Sequence, residues 1–298
     1  MNLALAPRGT SALAILLAAS SILPLATAQD AKKEDDPSSW LPILRRQAAD
    51  YEIVPKDPAK AAPRPRPEPI LRWTQPVRGG DDGAVFLWLA DGRPEAVVSI
   101  FTYRVAGGDR TLQHEVHSLA QAGLDASWRG RPMWRADGPG VAFKTVPDAP
   151  SPAAAAPARM RQMTEIARGF SATSVHEKAG ENALRLMPRA LYRYEAADKD
   201  VIDGALFCLA HGTDPEVFIL LGARRGGDSP EWRYALARFS DLALRARYKD
   251  REVWSVPPGE WNRHDGIHAY YIAELVDADT PDEYHEATKA RRQGRAEP

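Results

Sequence analysis

Two imidazoles four residues apart, in His264-Asp265-Gly266-Ile267-His268, come nearest to a metal-ligating motif in this chain. On a helix that spacing puts both rings on one face, where they could grip zinc. Their surroundings favour a polar loop. Pro257, Pro258 and Gly259 precede the pair, Gly266 divides it, and the residues that follow read as a strand. Along a strand the same spacing would hold His264 and His268 about 13 Å apart. In His114-Glu115-Val116-His117 the two rings would fall on opposite faces of a strand. The sequence names no cofactor, and no metal site beyond the His264 and His268 alternative.

Glu95 and Glu216 are the carboxylates that could share a symmetric role. Each follows a proline and begins an apolar run, and Arg104 and Arg225 stand at the corresponding ends of those runs. On equivalent strands, paired carboxylates or paired guanidinium groups could converge on one groove, and two carboxylates are what glycoside hydrolysis uses. The plainer alternative is a solvated glutamate at a turn and an arginine capping a strand edge. Trp128 and Trp134 bracket Arg129-Gly130-Arg131-Pro132-Met133, while Tyr248 and Trp254 bracket Lys249-Asp250-Arg251-Glu252-Val253. Aromatic and basic groups so interleaved could stack sugar rings or bind an anionic polymer, or the rings could face a core while the charges face water. Cys208, the single cysteine, sits among apolar residues that would raise its thiol pKa, which argues against a catalytic thiolate. The sequence holds no Gly-x-Ser-x-Gly elbow, phosphate loop, dinucleotide fingerprint or calcium loop. Catalytic groups can still converge from distant positions.

The elements that must position these residues show a periodicity of about 120. Asp82-Gly83-Ala84-Val85-Phe86 recurs as Asp203-Gly204-Ala205-Leu206-Phe207, and Pro94-Glu95 recurs as Pro215-Glu216 in the same ungapped register. Upstream, Arg72 and Trp73 correspond to Arg193 and Tyr194. Downstream, Leu124, Ala126, Arg131 and Trp134 correspond to Leu244, Ala246, Arg251 and Trp254 one position out of step. Leu41, Leu44, Ala48 and Tyr51 follow the spacing of one helical face, as do Met160, Met163, Ala167 and Phe170. The expected fold is α+β and mostly β: two related units, each a helix followed by an antiparallel meander, arisen by tandem duplication. Similar hairpins converging on similar turn chemistry is the alternative.

The chain divides accordingly. Residues 1–28 read as a signal peptide, with Arg8 before a short apolar run and Ala26-Thr27-Ala28 as the cleavage pattern. Residues 29–37 read as disordered, and residues 38–54 as an N-terminal helix capped by Ser38 or Ser39 with Pro42 in its first turn. Residues 55–69, six of them proline, suit an extended linker. Residues 70–146 form the first β-rich repeat, with a hairpin around Asp91-Gly92-Arg93-Pro94 and strands near residues 111–119 and 124–134. Residues 147–157 are an Ala/Pro linker, residues 158–278 a second helix plus β-rich repeat, and residues 279–298 a charged C-terminal tail. Short strands without intervening helices must pair antiparallel.

Composition narrows the functional classes. Without residues 1–28 the chain has 38 Lys and Arg against 40 Asp and Glu, so the basic excess of a nucleic-acid binder is lacking. No transmembrane segment is expected after signal cleavage. Val85-Phe86-Leu87-Trp88 with Gly92-Arg93-Pro94-Glu95-Ala96, the block His114 to Leu119, Met187-Pro188 with Leu191-Tyr192-Arg193-Tyr194, and Gly212-Thr213-Asp214-Pro215-Glu216 resemble blocks of a family of exported bacterial proteins of unknown function. The resemblance covers most of the mature chain and implies export, without implying an activity, a cofactor or a catalytic residue. The sequence therefore leads to an expectation of a non-enzymatic binding or structural protein of the envelope or periplasm, whose partner is an unidentified protein, glycan or lipid. The alternatives are a hydrolase acting on an envelope polymer and a small-molecule carrier with a deep apolar pocket.

Overall fold

Val85–Trp88 and Leu206–Leu209 are apolar at every position, the pattern of strands covered on both faces. A computed structural model describes residues 40–104, 110–176, 180–195, 200–226, 229–259 and 269–275, and makes these runs the centres of its two longest hairpins. The first half comprises α1 (Leu41–Ala49), β1 (Tyr51–Pro55), β2 (Arg64–Pro65), β3 (Leu71–Gln75), β4 (Gly80–Ala90), β5 (Arg93–Arg104), β6 (Arg110–Ser118), β7 (Leu124–Trp128), β8 (Arg131–Ala136) and β9 (Lys144–Thr145). The second comprises α2 (Ala156–Arg168), β10 (Phe170–His176), β11 (Gly180–Leu186), β12 (Tyr192–Tyr194), β13 (Val201–His211), β14 (Asp214–Arg224), β15 (Glu231–Arg238), β16 (Ala243–Tyr248), β17 (Arg251–Val256) and β18 (Tyr270–Leu275). The described architecture is mostly β, and every strand pairing is antiparallel.

Register is shared between the halves. Arg72 faces Ala84 and Trp73 faces Gly83, as Arg193 faces Ala205 and Tyr194 faces Gly204. A bulge between Trp88 and Leu89 in β4 recurs between Leu209 and Ala210 in β13. The β7–β8 hairpin pairs with β1, and the β16–β17 hairpin pairs with β10, each hairpin carrying its own bulge after the alanine at Ala126 or Ala246. One difference is due to proline. β10 continues through β11 into one nine-stranded sheet, whereas the proline-rich segment after β1 leaves only the two-residue β2 on β4, because prolines have no amide to donate to a ladder. The first half therefore splits into a six-stranded and a three-stranded sheet.

The two large sheets pack face to face. Val85, Leu87, Val97 and Phe101 on one meet Leu206, Cys208, Phe218 and Leu220 on the other. Alternate residues point outward. Ala84, Phe86, Trp88, Val98 and Ile100 pack under Leu44 and Ala48 of α1 and under the β1–β7–β8 sheet. Phe207, Leu209, Ile219 and Leu221 pack likewise under Met163, Ile166 and Ala167 of α2. Each half also lends a strand to the other: β9 pairs with β15, and β18 pairs with β6.

Several sequence expectations are corrected. The segments near residues 124–134 and 242–254 are each a hairpin, because Arg129-Gly130 and Lys249-Asp250 adopt positive φ and turn the chain. The helical spacing continues to Tyr51 and Phe170, but α1 ends at Ala49 and α2 at Arg168, and those two residues begin β1 and β10. The N-cap of α1 is Trp40, which forms no side-chain cap, with proline in the first turn. The expected signal peptide, disordered stretch and charged tail all lie outside the described residues. Among the described residues no helix is long and apolar enough to cross a membrane.

Candidate functional site

The hairpin turns set the positions of the two sheets. Thr213 Oγ1, after the β13–β14 turn, accepts from the Thr74 amide at 3.0 Å and donates to the Thr74 carbonyl at 2.7 Å. At the other end Tyr192 donates its hydroxyl proton to the carbonyl of Gly92, in the β4–β5 turn, at 3.1 Å. Each turn thus meets the third strand of the opposite half, and the two hairpins run antiparallel. Glu95 and Glu216 follow opposite turns and lie at opposite poles of the inter-sheet layer, separated by roughly 25 Å of strand.

At the Glu216 pole the layer opens into a cleft of about 650 Å³. Trp73, Phe101, Phe239 and Ile272 give it an apolar wall, and Gln113, Glu115, His176, His211, Asp214 and Asp241 a polar one. Gln113 and Glu115 alternate along β6 with Leu112, His114 and Val116, which face the outer core, so the strand itself directs them inward. Glu115 accepts a hydrogen bond from the Tyr270 hydroxyl, contributed by β18. Gln113 is buried and lines the cleft with no protein hydrogen bond from its side chain among the described residues. Gln75 donates its amide to the His211 carbonyl and to Nδ1 of the same residue, which fixes Nδ1 as an acceptor.

Charge is concentrated here. Arg78 pairs with Glu216 and lies 3.9 Å from Asp214. Oε2 of Glu216 and Nη2 of Arg78 are buried without a hydrogen-bond partner. Burial pushes the Glu115 carboxyl well above the usual carboxylate range; the Tyr270 hydrogen bond opposes the shift, while Asp214, Asp241 and Glu216 add to it. Burial, then Glu216, raises Asp214 despite Arg78. Burial also raises Tyr270, with Glu115 adding to it. Arg238 does not neutralise the group directly: its guanidinium donates to the carbonyls of Ser240, Pro257 and Leu242 at 2.9–3.0 Å and lies 4.9 Å over the Tyr270 ring.

The opposite pole has a smaller cleft of about 330 Å³. At the positions where the large cleft has His211, Asp214, Ser240 and Leu242, the small one has Ala90, Arg93, Ala120 and Ala122. Arg93 pairs with Glu95 at 2.6 Å, within one strand. The counterpart of Glu115 is Ala235, and that of Tyr103 is Arg224, which lies 4.3 Å over Phe143. One pole thus has a smaller cleft with an internally paired arginine, and the other a larger, acidic one.

The residues singled out from sequence are dispersed. Glu95 and Glu216 are both buried, but with separate arginines, so they form no catalytic pair. The expectation of solvated glutamates at turns is corrected as well: β5 and β14 begin before these residues, at Arg93 and Asp214, so each side chain falls on the inner face of its strand. Arg225 is exposed beyond β14, with its amide bonded to the Asp200 carbonyl. Arg104 ends β5, and its side chain lies outside the described residues. Trp128, Trp134 and Tyr248 turn into the outer cores, and half-buried Trp254 packs against one of them, so these four rings face protein interiors. Trp128 donates to the Gln47 carbonyl at 3.1 Å, tying α1 to β7. His264 and His268 lie outside the described residues. Cys208 is buried, and burial drives its thiol well above the ordinary value. Sequence reasoning missed Glu115, Asp214 and Asp241 as a group. The signal that could have found them is the set of positions at which the two halves, aligned on their shared register, differ in charge.

The fold and cleft together define a mostly β protein of antiparallel sheets: two face-to-face sheets, each with a helix packed on its outer side, and a mixed apolar and acidic cleft at one pole. No family model, curated protein or solved structure matches the chain.

Proposed function

We propose that this is an exported, non-enzymatic binding protein of the cell envelope, built from two copies of one ancestral unit, in which a single pole has been adapted to hold a small ligand. The observation that carries the reading is the contrast between poles. Equivalent positions hold small residues and an internally paired arginine at one end, and His211, Asp214, Ser240 and Leu242 around a larger cavity at the other. Buried polar groups facing a cavity cost free energy unless something satisfies them, and Gln113 and Glu115 face this one. Shared register, including two pairs of bulges, supports descent from one unit over convergence of isolated turns.

The test transplants one pole onto the other. The variant His211→Ala, Asp214→Arg gives the large cleft the smaller pole's residues at those positions. Native mass spectrometry of wild-type protein from envelope extract is expected to show a retained small molecule that this folded variant lacks. Wild-type protein that retains nothing, or a variant that retains it equally, refutes the reading. A hydrolase has one observation in its favour: Glu115, protonated by burial, has the form a general acid requires. Turnover of envelope glycan fragments that is abolished by Glu115→Gln would establish that alternative instead.

A further inference from the structure

We propose that the cleft selects an organic cation, a protonated amine carried on an apolar body, which binds with its ammonium group among Glu115, Asp214 and Gln113 and its apolar part against Trp73, Phe101 and Phe239; the inference rests on the binding role proposed above.

Two independent features point to it. The first is the balance of charge. Glu115, Asp214 and Asp241 line the cavity and Glu216 lies beside them, against Arg78, which is already engaged by Glu216 and Asp214, and Arg238, whose donors are taken by backbone carbonyls. An anionic ligand would meet three carboxyls at the wall and a single guanidinium, Arg78, whose Nη1 is held by Glu216 while its buried Nη2 has no partner. The second feature is Gln113, a residue only 4% exposed, which lines the cavity and has no protein hydrogen bond from its side chain among the described residues. Its carbonyl oxygen can accept a hydrogen bond, as can the carboxylates of Glu115 and Asp214. An ammonium group carries three donors and no acceptor, so acceptors on several sides are what it needs. The aromatic wall adds apolar area and faces that attract a cation.

The electrostatics imply a proton count. In the empty cleft burial favours the neutral forms of Glu115 and Asp214. A bound cation favours the ionised forms, so binding should release protons and should tighten as pH rises, until the amine itself loses its charge. The groups facing Glu115 in this exchange are Tyr270 from β18, Asp214 and Glu216 from β14, and Asp241 and Arg238 at the end of β15.

Three probes of matched shape separate charge from shape: 4-phenylbutylammonium, 4-phenylbutanol and 4-phenylbutanoate, each titrated calorimetrically into the mature chain at pH 6, 7 and 8 in buffers of different ionisation enthalpy. The ammonium probe is expected to bind about tenfold or more tightly than the alcohol, since each charge-assisted hydrogen bond is worth roughly a tenfold change in affinity. It should release protons on binding, and the butanoate should bind weakest. Glu115→Gln, which can still accept from Tyr270, and Asp214→Asn should each weaken the ammonium probe about tenfold and reduce the proton release. Equal or tighter binding of the alcohol or the butanoate would overturn the choice of a cation while leaving a binding cleft in place. Binding of none of the three at millimolar concentration would overturn it as well. Retention of a native ligand from extract then decides separately whether the cleft binds anything.

Discussion

Trp73 lies across Gly83, its cross-strand partner on β4, so closely that a Cβ on the glycine would fall inside the indole; its Nε1 reaches past to Ser99 Oγ at 3.0 Å. Tyr194 covers Gly204 in the same way at the equivalent place in the second half. Neither glycine has a positive φ, so what each position requires is room for a ring. Gly83→Ala and Gly204→Ala should each cost about 1–3 kcal/mol through overpacking. Chemical denaturation measures both. Alanine tolerated at either position would mean that the ring can move aside freely.

Asp203 shows a second link between layers. Fully buried, it is gripped by Arg193 of β12 at 2.7 Å and by Arg159 of α2 at 2.9 Å, so it ties the helix to the sheet. Asp82 and Arg72 repeat the strand half of this arrangement, but the residue corresponding to Arg159 is Trp40, which cannot supply a charge. Asp203→Ala leaves two guanidinium groups without their anion and should cost about 3–5 kcal/mol, more than Asp82→Ala. Equal losses in urea titrations would remove the helix tie from the account.

Buried histidines and buried carboxyls oppose one another in acid. Burial lowers His114 and His117 to about 3. Their unfolded forms bind protons near pH 6.5, so they contribute stability that is lost as pH falls from 6.5 toward 3. Glu115 and Asp214 are raised, so their contribution has the opposite sign: it is present at low pH and is lost as pH rises through their folded values. Between the ordinary carboxylate range and pH 6.5 the two effects oppose one another, so the wild-type stability curve should be shallower there than the histidines alone would make it. The double variant Glu115→Gln, Asp214→Asn removes the offset. Its stability should fall below pH 6.5 with a slope approaching about 2.7 kcal/mol per pH unit for two histidines. Denaturant midpoints across pH decide; parallel curves for the two proteins would contradict the argument.

The parts that local chemistry controls were readable beforehand. Asp91-Gly92 marked its hairpin, and the apolar runs on either side of it marked strands covered on both faces. The turns at Arg129 and Lys249 escaped because non-glycine residues take the positive φ there, and Lys249-Asp250 contains no glycine at all. β1 and β10 escaped because Tyr51 and Phe170 continue a helical spacing while lying at the start of strands. The cleft was hidden for another reason. Tyr270 reaches Glu115 across 155 positions through the pairing of β18 with β6, and Arg78 reaches Glu216 across 138 through the packing of one sheet on the other, contacts that no local pattern announces. The register shared by the two halves nonetheless carried a usable trace, since Arg93 against Asp214 and Ala235 against Glu115 are visible in the sequence as differences between aligned positions.

β9 and β18 leave their own halves to pair with the last meander strand of the other, and the two exchanges are unequal. β9 contributes two residues to the edge of β15; β18 contributes six to β6 and brings Tyr270 and Ile272 to the cleft. A chain ending at Gly259 therefore loses a ladder, the hydroxyl that satisfies Glu115 and part of the apolar wall, and exposes β6 as an open edge that invites pairing with another chain. Its melting temperature should drop by 10 °C or more, since several kcal/mol lost shift a domain of this size by roughly 2–4 °C each. It should also aggregate on warming. A synthetic peptide of residues 269–275 should restore part of the stability by strand addition, because the vacated edge presents the same donors and acceptors. Lys144→Pro, which removes the amide of one residue from the short β9, should shift melting much less. A truncated chain as stable as the full one would mean that the inter-sheet layer closes without its borrowed strand, and that Glu115 finds its partner elsewhere.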